Sequence, residues 1–131
     1  MITREEIIEV CNNLGLVEYT SPELEDYRPW RFSSSIFKNL SAATIVVLSK
    51  NPHDKLIGPR LYFYNRLSYN KEDGFFMNCE DKVLAYCSKD GKDYAEMYNK
   101  KSFETSIKNV IKKIKTTEID LKLKNIQKDF E

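Results

Sequence analysis

Two apolar rows in the last thirty residues of this 131-residue chain cannot share one helix face. Phe103, Ile107, Val110, Ile111 and Ile114 recur at the steps of three and four that line one side of an α-helix. Ile119, Leu123, Ile126 and Phe130 do the same further on. An advance of ~100° per residue sets the second row roughly opposite the first, by about 160–180°. Either the chain breaks near Thr116–Thr117, or one long helix carries apolar rows on opposing sides. A continuous helix covers the body of the protein with one row and leaves the other seeking a partner, since exposed apolar patches mark contact surfaces. Ile119, Leu123, Ile126 and Phe130 are therefore candidate partner-binding residues. The competing outcome is a turn at Thr116 that tucks them into the core.

The stretch Ile119-Asp120-Leu121-Lys122-Leu123-Lys124 also alternates at period two, as a strand would. Leu, Lys, Gln and Glu favour helix, however, and Ile126 with Phe130 extends the helical spacing, so helix is the expectation. Thr117 with Asp120 offers a fresh cap if the chain does break.

Upstream, Thr3 and Glu6 have the spacing of a capping box, and Ile7, Val10, Cys11 and Leu14 form an apolar face behind them. Gly15 supplies the left-handed stop, so the spacing predicts a helix over residues 4–14. Ser21-Pro22-Glu23 predicts a further helical turn, ended near Tyr27 because Pro29 disfavours helix at Arg28. From Trp30 the period changes to two: Trp30, Phe32, Ser34 and Ile36 alternate with Arg31, Ser33 and Ser35, predicting a strand. The β-branched run over residues 43–49 predicts a central strand buried on both faces. Residues 61–65 resume alternation, Lys71-Glu72-Asp73-Gly74 is a turn, residues 82–88 form another strand, and Asp90-Gly91 predicts a hairpin into residues 94–98. Ser102 is the expected cap of the C-terminal helix. Short strands joined by short turns imply an antiparallel meander. The expected fold is α+β in a single domain over residues 1–131: an N-terminal helix, an antiparallel sheet of four to five strands, and one long or two short C-terminal helices.

Charge is unevenly spread along this chain of net charge +1. Residues 1–30 set Arg4 and Arg28 against seven carboxylates, net −5, whereas residues 100–131 set nine Lys against five carboxylates, net +4. The acidic beginning is expected to lie beside the basic end in the fold. The three cysteines (Cys11, Cys79, Cys87) are odd in number and follow no secretory signal, and no apolar run approaches the ~18 residues of a membrane span. The expectation is an intracellular, cytoplasmic protein with reduced and mostly buried thiols, and no membrane partner.

Chemistry-bearing motifs are sparse. His53 is the single histidine, beside Asp54 in a turn, and sequence neighbours do not orient an imidazole. Cys79 is followed by Glu80 and Asp81, which disfavour a thiolate. Cys79, Cys87 and His53 lack the paired spacing of a zinc site, and the acids Glu72-Asp73, Glu80-Asp81 and Asp90 with Asp93 fall in expected turns. Four scattered glycines make no phosphate loop. No catalytic residue, metal or cofactor is therefore expected.

Two function classes lead, with an enzyme using His53 in a cleft as a third reading. The first is a non-enzymatic protein-binding module acting through the second apolar row, on another protein or by self-association. Lys, Asn, Ile and Tyr supply about a third of the residues, a bias also produced by AT-rich coding DNA. Small size and that bias fit an inhibitor of a host factor, including a defence protein, carried by a phage or mobile element. The alternative is a nucleic-acid-binding protein in which Lys108, Lys112 and Lys115 contact phosphates and Tyr62, Tyr64 or Phe75 stack on bases. Arginine is scarce and the pI is about 7.6, which weighs against this alternative.

Overall fold

A computed structural model of the chain describes residues 2–19, 27–49, 60–78, 84–86, 93–94 and 99–129. In chain order the elements are β1 (Ile2–Thr3), α1 (Arg4–Asn13), β2 (Val17–Glu18), β3 (Tyr27–Arg31), β4 (Thr44–Ser49), β5 (Arg60–Phe63), β6 (Arg66–Asn70), β7 (Gly74–Asn78), β8 (Leu84–Tyr86), β9 (Asp93–Tyr94) and α2 (Lys100–Asp129). The architecture is α+β, with an N-terminal helix, an antiparallel sheet and a long C-terminal helix.

Helix α1 begins where its capping box directs. The Thr3 hydroxyl accepts from the Glu6 N–H at 3.2 Å, and the Glu6 carboxylate accepts from the Thr3 N–H at 3.1 Å, so two backbone donors without helical partners are satisfied reciprocally. The helix ends before Gly15, whose φ of +80° is the left-handed conformation that a side chain resists. Ile7, Val10 and Cys11 are buried from its inner face.

The main sheet has the order β2-β3-β4-β5-β8, antiparallel throughout. Strand β4 is central, as its β-branched run predicts, and Thr44 to Leu48 are buried without alternation. Strand β3 begins earlier than alternation from Trp30 predicts, and it contains Pro29. In antiparallel pairing a residue directs its N–H and C=O to the same neighbour. The Pro29 carbonyl accepts from the Tyr19 N–H at 2.9 Å, so the absent proline N–H falls on the β2 side, just past that strand's last paired residue. Residues 32–36 are not strand: the register shifts at Trp30/Arg31 and the chain turns away.

The strands do not form one meander. Strands β6 and β7 make a separate hairpin, and β8 returns to pair with β5. Asn70 builds that hairpin's turn, accepting from the Asp73 N–H at 2.6 Å, and Gly74 follows with φ +72°. Strand β9 pairs with β1. Ser21-Pro22-Glu23, His53, Cys79, Cys87 and the Asp90-Gly91 turn lie outside the described residues.

One core joins the helices to the sheet. Trp30, Phe63, Phe103, Ile7, Ile45, Leu61, Ile107 and Ile114 are almost wholly buried. Removing such a side chain from water contributes about 1.5–3 kcal/mol each. Phe103 of α2 meets Phe63 of β5 edge-on, with ring centroids 5.5 Å apart. The Trp30 indole N–H donates to the Asn12 side chain at 3.3 Å, and the Arg28 guanidinium lies 5.3 Å from the Trp30 ring. The two helices touch, and the Lys100 ammonium reaches the Glu9 carboxylate at 2.9 Å, so acidic α1 does lie against the basic C-terminal helix.

Candidate functional site

Helix α2 is continuous over thirty residues. Its cap is Asn99, one turn before the expected Ser102. The Asn99 side chain accepts from the Ser102 N–H at 2.8 Å, and the Ser102 hydroxyl accepts from the Asn99 N–H at 3.0 Å. Ser102 thus takes the role that Glu plays in a capping box.

No break occurs at Thr116–Thr117. The Thr116 hydroxyl donates to the Lys112 carbonyl and the Thr117 hydroxyl to the Lys113 carbonyl, each at 2.9 Å. Both side chains bond back to the preceding turn, which satisfies their hydroxyls within the helix in place of capping a new one. The segment from Ile119 to Lys124 is helix and not strand.

A continuous helix obliges the two apolar rows to diverge. Phe103, Ile107, Val110, Ile111 and Ile114 are at most 9 % exposed, whereas Ile119, Leu123 and Ile126 are 57 %, 53 % and 51 % exposed. Phe130 lies outside the described residues. The inner row does not stop at Ile114: Leu121 is partly buried against the same core, and the Ser34 hydroxyl donates to the Glu118 carboxylate at 2.9 Å. Steps of four and three lead from Ile114 through Glu118 to Leu121, so this inner seam was available in the sequence. Alternation with Leu123 concealed it.

These contacts anchor the second half of α2 to the body through one side. The Ser34 hydrogen bond, and then the Lys122 ammonium, hold the Glu118 carboxyl below its ordinary range. Lys122 lies 3.4 Å from the same carboxylate, one turn on.

Lys108, Lys112 and Lys115 also point outward. Together with Leu14, Ile111, Thr116 and Ile119 they line a groove of about 420 Å³ between the end of α1 and α2. Lys108 pairs with Glu104 at 2.9 Å. Among the described residues, Lys112 and Lys115 have no carboxylate within 4 Å. The aromatic groups of the nucleic-acid alternative do not form an open platform beside these lysines. Tyr64 and Phe75 are packed against the core, Phe75 with its ring 5.0 Å from that of Tyr69, and Tyr62 is half-buried.

Cys11 is buried, as expected, and is unsuited to thiolate chemistry. Burial, reinforced by the charge of Glu18, pushes its thiol up to about 12. Among the described residues, no group of three or more His, Cys, Asp or Glu side chains is placed to hold a metal ion, and no helix is long and apolar enough to cross a membrane.

Searches against family models, curated proteins and solved structures found no match to this chain.

Proposed function

We propose that this chain is a non-enzymatic protein-binding module whose outer α2 face occupies a surface on another protein. One observation carries the proposal: Ile119, Leu123 and Ile126 are each more than half exposed in a row on one face of a helix whose opposite side is committed to the core. Apolar side chains grouped in this way mark contact surfaces more often than isolated exposed ones do. An amphipathic helix reads a partner groove through anchors at these spacings.

The test is Ile119→Asp combined with Ile126→Asp. Affinity capture from the native host, followed by identification of the retained proteins, should recover a partner with the wild type and lose it with the variant. Circular dichroism and the thermal midpoint should stay nearly unchanged, because neither side chain belongs to the core. Loss of fold in the variant would place the row in the interior and remove the proposal's basis. So would a wild-type protein that captures nothing and stays monomeric in light scattering.

A further inference from the structure

Resting on that reading, the geometry points to the partner's chemistry: a segment of another protein, helical when bound, bearing a cluster of carboxylates and, further along the same side, a cluster of apolar anchors. Lys108, Lys112, Lys115, Ile119, Leu123 and Ile126 follow one another at steps of four, three, four, four and three. On a helix turning ~100° per residue, the lysine row and the apolar row centre within about 20° of each other. They are one outer stripe, basic over its first two turns and aliphatic over the next two. At ~1.5 Å rise per residue it spans about 27 Å, with the centres of its halves about 16 Å apart.

The basic half is only partly compensated among the described residues: Glu118 feels the charge of Lys115 but makes its contacts with Ser34 and Lys122. Among the described residues, the charged side chains lining the groove beside it are lysines, and its apolar floor is Leu14, Ile111 and Ile119. Glu104 engages Lys108, but Lys112 and Lys115 have no ion pair among the described residues. A partner carboxylate placed there gains attraction without displacing an existing pair, and its neighbouring apolar side chains fill the groove floor and continue onto Leu123 and Ile126. Nucleic acid fits poorly, because phosphates have no use for the aliphatic half and, among the described residues, the stripe carries no aromatic for base stacking. A flat anionic membrane meets aliphatic side chains over only half of the stripe, whereas a surface helix immerses an apolar face along its length.

Selection from a displayed library of randomised twenty-residue helical peptides, on the purified full chain, tests this. Enriched peptides should carry two or three acids at helical spacing and an apolar cluster about eleven residues away. The best peptide, synthesised with a fluorophore, should bind the wild type, lose about tenfold or more affinity to Lys112→Glu plus Lys115→Glu, and weaken with added salt. Those lysines are exposed, so circular dichroism should report an unaltered fold. Enriched peptides without acids, or an affinity unmoved by charge reversal, would overturn the acidic-partner inference while leaving protein binding through the apolar row intact. Failure to enrich any peptide would also overturn it, and binding of a labelled single-stranded oligonucleotide, phosphatidylglycerol vesicles or a second copy of the chain would then say what the stripe takes instead.

Discussion

Along α2, the segment from Phe103 to Ile114 and the segment from Ile119 to Ile126 carry similarly apolar residues at helical spacing, yet the apolar row of the first is interior and that of the second faces water. Neither hydrophobicity nor helix propensity separates them. Phase does: the helix is anchored by Phe103, Ile107 and Ile114, and it runs unbroken past two threonines whose hydroxyls bond back to the preceding turn. The later row then emerges on the opposite side, while Leu121 and Glu118 keep the inner seam against the body. Apolar residues on a helix are buried only where a neighbouring layer meets their side of it, so a contact surface can be built from core-type residues by rotation alone.

Three experiments would break or sharpen this contrast. The largest effect is expected from Ile107→Ala, which empties a fully enclosed site and should destabilise the fold by about 2–5 kcal/mol in urea titration. The outer Ile119→Asp should fall within about 0.5 kcal/mol of wild type. Comparable losses at both positions would erase the distinction.

Alkaline pH probes the buried layer beneath the inner row. The Cys11 pKa is raised from 9.0 to about 12, so the folded state holds the thiol proton more tightly than the unfolded chain does. The resulting stability is fully present below about pH 9 and is lost as pH climbs from there through the folded value, up to roughly 4 kcal/mol as an upper bound. Urea midpoints from pH 8 to 11 should fall more steeply for wild type than for Cys11→Ala, which has no proton to lose. Parallel profiles would show that Cys11 is not enclosed.

The smallest effect belongs to Leu121, the half-buried residue that tethers the second segment. Leu121→Ala should cost about 1–2 kcal/mol, below the loss at Ile107 because less surface returns to water. Hydrogen exchange should then quicken beyond Thr117 and remain slow near Ile107. Uniform quickening along α2 would mean that the helix has no semi-independent outer half.

Much of this fold was legible in the chain because local rules act locally. Thr3 and Glu6 specify a cap, Gly15 a stop, the run Thr44 to Leu48 a doubly buried strand, and the row from Phe103 to Ile114 a core-facing helix. The opposition of Ile119, Leu123 and Ile126 to that row also follows from spacing alone, once the helix is known to continue. Tertiary structure decided what spacing leaves open. The hydroxyls of Thr116 and Thr117 had two local uses, capping a new helix or bonding within the old one, and only the anchorage of Glu118 and Leu121 on the body selects the second. Pairing partners were equally undetermined, because β8 against β5 and β9 against β1 join residues far apart in sequence. The lysine and aliphatic rows could be read as one face only after α2 proved unbroken, since a kink at residue 116 would rotate one half relative to the other. Local chemistry thus set the periods, and long-range packing set their phase.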